Sequence, residues 1–259
     1  MIPLSVQEIE ANSTGAGEWS RQSHTGLCRR GVQITARLTH RRNERSHPLS
    51  KIFIFGSGGH ARVISDLLSC VEGAVFGFID DTVTSCTLDG LPVLSSSDPG
   101  WLSLDDFRFV VAIGDNRIRA SIFERLIARG GTPLTILHPN SIVSKKSIIG
   151  PGTVVMAGAI VNSGAEVGSN CILNTSCSVD HDCRLGDHVH LCPGVRLAGN
   201  VRIGAHTVLG TGSCVVPGQK IGSGTMVGAG AVVIRDLPDS CCAYGNPARV
   251  QRFFDSSKF

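Results

Sequence analysis

From Val143 to Val233 an aliphatic residue falls at every sixth position without a break. The series opens Val143, Ile149, Val155, Val161 and closes Ile221, Val227, Val233, sixteen positions in one register. An α-helix repeats every 3.6 residues and a half-buried strand every two, so neither accommodates it. A six-residue period is the mark of a parallel β-helix, in which each hexapeptide forms one flat side of a triangular prism. The residue two before each aliphatic is small or β-branched almost throughout, as in Thr153, Ala159, Cys171, Cys177, Cys183 and Thr207. It is expected to fill the crowded interior near a corner while the aliphatic points into the axis. The residue after the aliphatic is often glycine, as at Gly150, Gly168, Gly186, Gly204 and Gly222, and is expected to permit the bend. Three hexapeptides close one coil, so residues 18 apart stack at about 4.8 Å, and the run supplies about five coils.

Low aromatic content (5%) and 31 glycines suit a thin prism whose axis has no room for rings. No apolar run approaches the length of a membrane span. None of the ten cysteines forms a C-x-x-C pair, and Cys171, Cys177 and Cys183 take the repeat's small-residue slot, where a thiol acts as a small hydrophobe. Unpaired cysteines without a signal peptide point to a reducing cytoplasm. Residues 1–50 carry seven Arg, four Glu and no Lys, which leaves seventeen basic and seventeen acidic residues in 51–259. The formal charge of +3 is therefore local and gives no reason to invoke nucleic acid. With no apolar period, residues 1–50 read as a disordered extension or an upstream-misassigned start.

Residues 51–137 read as a small α/β domain. Ile52–Phe55, Val75–Ile79, Phe109–Ile113 and Pro133–Leu137 are strand-like; Ala61–Cys70 and Ile118–Ala128 have helical spacing; Gly90–Val93 reads as a link. Alternation of the two types means a parallel sheet with crossovers. Gly56-Ser-Gly58-Gly59-His60 joins the first strand to its helix, where backbone N–H groups can meet a phosphate. It formally fits a dinucleotide fingerprint, with Asp80 at a plausible distance for a ribose, but the domain is short for a full Rossmann fold. A mononucleotide or nucleotide-sugar ligand suits it better.

Within the prism, Leu173-Asn174-Thr-Ser-Cys-Ser-Val179-Asp180-His181-Asp182 departs from repeat filler. Asn174 and Asp180 replace the common glycine, and two carboxylates flank His181. A histidine can deprotonate an amine or hydroxyl near neutral pH, and an adjacent carboxylate fixes its tautomer and raises its basicity. Stacking places Gly199 one coil beyond His181, with room for a thioester and an N–H for a developing oxyanion. Asn174 and His190 lie about one side away along the coil.

The repeat resembles the left-handed parallel β-helix of hexapeptide-repeat acyltransferases. The order Gly56–His60 loop, Phe78-Ile-Asp80-Asp81, Ala112-Ile-Gly114-Asp-Asn116, then Asn174 to Asp182 within the prism resembles the family of sialic-acid O-acetyltransferases and nucleotide-aminosugar N-acetyltransferases, over Lys51 to about Val250. The resemblance implies a Rossmann-like nucleotide-sugar-binding domain (51–137), a left-handed β-helix acetyltransferase domain (138–250), a short tail (251–259), acetyl-CoA as co-substrate and a homotrimer. It implies that His181 is the general base and Asp182 the residue that raises its basicity; whether Asp180 or Asp182 orients the ring stays open. It places Asn174 in the acceptor-sugar pocket and Gly58, Gly59, His60, Asp80, Asp81, Gly114 and Arg117 in the nucleotide-sugar site. It places His190, Gly199, Thr211 and Ala229 along acetyl-CoA, with Gly245–Arg249 near the adenine end. The implied reaction acetylates an amine of a nucleotide-linked amino sugar bound for a surface polysaccharide, with a hydroxyl of sialic acid or a related sugar as the alternative.

Two other classes compete. A metal enzyme on the same prism would use His188 and His206, which are 18 apart, but zinc needs three converging ligands and neighbouring sides point different ways. A non-catalytic nucleotide-sugar-binding or scaffold protein would have no use for the Asp-His-Asp cluster. No cysteine lies beside a histidine in an obvious nucleophile arrangement, and no metal is expected.

Overall fold

The computed structural model describes residues 51–71, 75–82 and 86–254; the extension over 1–50 and the last five residues lie outside the described residues. Strand β1 (Lys51–Phe55), helix α1 (Gly59–Val71), β2 (Val75–Ile79), β3 (Thr87–Leu88), β4 (Leu91–Leu94), α2 (Pro99–Leu102), β5 (Phe107–Val111), α3 (Asn116–Ala128) and β6 (Thr132–Pro133) build the small domain. Its sheet runs in the order β3-β4-β2-β1-β5-β6, parallel except for the β3–β4 pair. Alternate residues of β1 serve opposite faces. Phe53 and Phe55 join Trp101, Phe107, Phe109 and Phe123 in an aromatic layer, while Ile52 and Ile54 pack with Ile64, Leu67 and Leu68 of α1.

The segment expected to be a link, Gly90–Val93, is largely strand β4. Proline argues against a central strand, but β4 is paired on both sides, parallel to β2 and antiparallel to β3. Gly77 of β2 leaves room for it: a Cβ there would lie 3.0 Å from the Pro92 carbonyl oxygen. The strand expected over Phe109–Ile113 begins two residues earlier, at Phe107. The strand expected over Pro133–Leu137 is divided. Thr132–Pro133 pairs with β5, whereas Ile136–Leu137 already pairs with Val154–Val155 of the prism.

The prism is a left-handed parallel β-helix of two-residue strands in three sheets, every rung pairing residues 18 apart. One side carries Ile136–Leu137 through Met226–Val227, the second Ile142–Val143 through Val232–Val233, and the third Ile148–Ile149 through Lys220–Ile221. The aliphatic column and the small residues two before it are buried together, and Cys171, Cys177 and Cys183 lie among them at no more than 1% exposure. A hairpin of Cys241–Gly245 and Ala248–Phe253 closes the last coil.

The bend is not made where it was expected. Glycines directly after the aliphatic do not take left-handed backbone; they are needed because the next coil passes too close for a side chain. A Cβ at Gly150 would meet the Gly168 carbonyl carbon at 2.5 Å, and one at Gly168 the Gly186 carbonyl carbon at 2.6 Å. The turn is made two residues later, by positive-φ residues stacked in columns, among them Gly152, Asn170, His188 and His206 on one corner and Gly164 and Asp182 on another.

The small domain sits on the first side of the prism. Ile136, Val154 and Ile172 occupy outward positions of that side but are buried, and Ile136, Val154 and Met156 belong to the same apolar cluster as the α1 face of the sheet. Each such aliphatic contributes roughly 1.5–3 kcal/mol. Arg119 of α3, 1% exposed, completes the union. Its Nε donates to the Asn170 carbonyl (3.0 Å), Nη1 to the Ile113 carbonyl (3.1 Å), and Nη2 to Asn116 Oδ1 (2.6 Å) and the His188 carbonyl (2.8 Å). Among the described residues, no helix is long and apolar enough to cross a membrane.

Candidate active site

The turn after strand Ser178–Val179 carries Asp180, His181 and Asp182. Asp182 takes the left-handed corner position at φ 59, which Asp tolerates better than most residues. That backbone turns its carboxylate toward the ring: His181 Nδ1 and Asp182 Oδ2 are 2.9 Å apart. Asp180 does not touch the ring. Its Oδ1 accepts from the His181 backbone N–H (2.7 Å) and from Asn162 Nδ2 one coil below (2.9 Å). The orienting carboxylate is therefore Asp182, and Asp180 holds the backbone. The Asp182 hydrogen bond raises the His181 pKa above its ordinary value; desolvation opposes it, and the charges of Asp180 and Asp182 add to the rise. With Nδ1–H donated to Asp182, Nε2 keeps its lone pair. Cε1 and Nε2 overhang Gly199 one coil above, where a Cβ would lie 2.5 Å from Cε1. Both side chains of the dyad are more than half exposed.

A second constellation lies where the small domain meets the prism. The sheet order puts β2 on one side of β1 and β5 on the other, a topological switch point, and ligands of open α/β sheets bind in the crevice beyond such strand ends. Gly58, Gly59 and His60 follow β1, Gly114 follows β5, and Arg117 is exposed in the first turn of α3. Facing them on the first side of the prism is His190, which is hydrogen-bonded to the Gly114 backbone and has Nε2 3.3 Å from Asn174 Nδ2. Burial, then the Arg119 charge, pushes the His60 and His190 pKa values down to about 4, so both rings are neutral at physiological pH. His60 Nε2 is buried without a hydrogen-bond partner. An unsatisfied buried nitrogen of this kind is a ready contact for a polar ligand.

Asp80 and Asp81 have structural work. Asp80 accepts from Ser57 N–H and Oγ and from Thr82 N–H and Oγ1, at 2.7–2.8 Å, and so locks the glycine loop against the end of β2. Burial pushes its carboxyl up, but these bonds outweigh it and the net shift is downward. Asp81 Oδ1 accepts from Ser96 N–H and Ser95 Oγ.

Thr211 and Ala229 are exposed on the corner that also carries Asn174; that corner is laddered by Gly194 N–H to the Thr175 carbonyl (3.0 Å) and Gly230 N–H to the Thr211 carbonyl (2.8 Å). The structure thus brings together His181, Asp182, Asp180 and Gly199 on one corner. It gathers Gly58, Gly59, His60, Gly114, Asn174 and His190 at the small domain, with Thr211 and Ala229 further up the Asn174 corner. One prism side separates the two groups within a chain.

A cysteine does lie beside a histidine: Cys192 Sγ is 3.9 Å from His190 Nε2. Burial raises the thiol pKa and lowers that of the imidazole, both of which oppose a thiolate–imidazolium pair. His188 and His206 stack with ring centroids 4.7 Å apart, face to face rather than converging on a point. Among the described residues no group of three or more His, Cys, Asp or Glu is placed to hold a metal. Residue-level reading missed Arg119 and Asn116; the latter donates to the His206 and Thr207 carbonyls.

Residues 51–126 match the family model described as the PglD N-terminal domain. The chain is 32% identical over 98 residues to the GDP-perosamine N-acetyltransferase of Escherichia coli O157:H7, a match covering 35% of this chain and 43% of that protein; the chain spans less than half the length of the curated relatives it matches. Two solved structures are similar over more of their length. The acetyltransferase domain of PglB from Neisseria gonorrhoeae FA1090, in complex with acetyl coenzyme A, is 40% identical at a TM-score of 0.73, covering 77% of this chain and 98% of that one. PerB from Caulobacter crescentus, in complex with CoA and GDP-perosamine, is 38% identical at a TM-score of 0.73, covering 80% of this chain and all of that one. Shared architecture at this identity and coverage means that the chain belongs to the nucleotide-aminosugar N-acetyltransferase family.

Proposed function

We propose that the protein transfers acetyl from acetyl-CoA to an amine of a nucleotide-linked amino sugar, with His181 as general base. The observation that carries this is the His181 ring, held by Asp182 at Nδ1 and presenting Nε2 over Gly199. The acceptor amine attacks the thioester carbonyl, and Nε2 takes the proton the nitrogen sheds. Asp182 stabilises the imidazolium. The tetrahedral oxyanion is met by the Gly199 N–H, which donates to no group among the described residues. Collapse expels the coenzyme A sulfur, and the imidazolium returns the proton to it. No acyl-enzyme is needed.

Gly199, His190, Thr211 and Ala229 are the residues that would hold acetyl-CoA; the Gly199 N–H, which donates to no group among the described residues, and the exposed corner that carries Thr211 and Ala229 support this fit. The nucleotide sugar belongs at Gly58, Gly59, His60, Gly114, Arg117 and Asn174, where the neutral His60 ring can hydrogen-bond without repelling an ammonium. Asp80 and Asp81 shape that site through the loops they hold. The active unit is a homotrimer in which the His181 corner of one chain meets the Asn174 corner of the next.

Thiol release from acetyl-CoA with a panel of nucleotide-linked 4-amino sugars tests this. Turnover on one member, falling roughly 10²–10⁴-fold in His181→Ala, is expected. Turnover that survives in the variant overturns the assignment of the base, and turnover only on sugar hydroxyls overturns that of the acceptor.

A further inference from the structure

The turn one coil below the dyad, Asn162-Ser163-Gly164, touches each residue of Asp180-His181-Asp182 in a separate way. Asn162 Nδ2 donates to Asp180 Oδ1 at 2.9 Å, and that same oxygen accepts from the His181 N–H. The Ser163 carbonyl accepts from the Asp182 N–H at 3.2 Å. Gly164 makes its contribution through what it lacks. Its φ is +74, the left-handed corner position, and it stacks directly under Asp182 at φ 59. A Cβ at 164 would lie 2.5 Å from Asp182 Oδ1, well inside contact distance. The carboxylate that holds the His181 ring therefore occupies the space where residue 164 would carry a side chain.

We propose that Gly164 is a positioning residue for the acetyl transfer: by having no side chain it lets the Asp182 carboxylate lie across the coil below and reach His181 Nδ1. The inference rests on His181 being the base. A methyl at 164 meets the end of a flexible side chain, so the carboxylate gives way rather than the backbone. The atom that moves is the hydrogen-bond acceptor of the ring, and the loss falls on the dyad rather than on the fold. The charged groups that act on the ring are Asp182 and Asp180 of its own turn. The turn below offers Asn162, Ser163 and Gly164 and the turn above Ala198, Gly199 and Asn200, none of them ionisable.

Gly218 supplies the control. It occupies the same corner position two coils above Asp182, at φ +77, and a Cβ there would meet nothing within 4 Å. Gly164→Ala and Gly218→Ala thus carry the same backbone strain, and only the first intrudes on the dyad. The His181 ring is titrated by NMR through its Cε1 proton, assigned with His181→Gln, in the wild-type protein and both variants. The raised pKa is expected to fall toward the ordinary histidine value in Gly164→Ala and to stay in Gly218→Ala. In thiol release, the acid limb of kcat/KM should move to lower pH, because a weaker base deprotonates earlier, while the plateau drops roughly ten- to a hundredfold. The same titration in Gly164 and Gly218 variants overturns the inference. Loss of the shift with activity intact, or a fully active His181→Ala, overturns the assignment of the base and leaves the positioning geometry standing. If Gly164→Ala does not fold, Gly164→Asn, which tolerates left-handed backbone but still carries a Cβ, gives the same reading.

Discussion

A Cβ at Gly199 would lie 2.5 Å from Cε1 of the His181 ring, and Gly199 is not among the positive-φ residues. Alanine is therefore allowed by the backbone and forbidden by the ring. In Gly199→Ala the imidazole must swing off its perch, and a displacement of about 1 Å from productive geometry is enough for roughly a hundredfold loss of kcat. The melting temperature should change little, because the displaced ring is already exposed. Thiol-release kinetics beside a thermal melt checks both halves; an unimpaired Gly199→Ala would remove this glycine from the reacting centre. Stability follows the opposite pH sense from activity here. A ring with a raised pKa adds stability where it is protonated, below the ordinary histidine value, and that contribution is gone once pH passes the raised value. The proposed base must be deprotonated to act, so on that proposal the dyad works where it no longer helps the fold.

Arg119 shows what a single element does for the assembly of the site. Its guanidinium links α3 to carbonyls of two prism coils and lies close enough to lower the pKa of His60 and His190. Arg119→Met leaves several buried acceptors without donors and should cost about 3 kcal/mol in chemical denaturation. Arg119→Lys keeps the charge but loses the fork and should fall between. NMR titration of His190 in the methionine variant should show its pKa rising as the nearby charge disappears; an unchanged value would mean burial alone holds it down. This element also marks where sequence stops being legible. The prism could be read in advance because every residue's environment is set by its place in one repeat, and Val143 to Val233 keeps that register. The dyad could be read because Asn174 and Asp180 replace the common glycine and two carboxylates flank His181. The docking of the small domain could not be read, because it depends on which outward positions become buried. Ile136, Val154 and Ile172 look like ordinary strand residues until their 18-residue spacing is mapped onto one side. Arg119 looks like any helix arginine, while Asp80 looks like a ligand contact although its oxygens are spent on Ser57 and Thr82.

At the scale of the molecule, the decisive fact is that His181 and Asn174 occupy corners at opposite ends of one prism side, strand Ser178–Val179. A sugar bound as proposed at His60 and Asn174 is therefore presented to a different corner from the one that carries the same chain's proposed base. In the proposed trimer, closing three chains about a threefold axis would bring the His181 corner of each against the Asn174 corner of the next, with the same contact repeated three times. Two inactive variants should then rescue each other. His181→Ala retains an intact acceptor side, and His60→Ala with Asn174→Ala retains an intact base. In mixed trimers assembled at random from equal amounts, about a quarter of the interfaces pair an intact base with an intact acceptor side, so co-refolded protein should regain about a quarter of wild-type turnover. Chains refolded separately and then mixed without exchange should regain none. Recovery near zero in verified mixed trimers would mean that each chain completes its own site, and a monodisperse monomer in light scattering would remove the shared interface altogether.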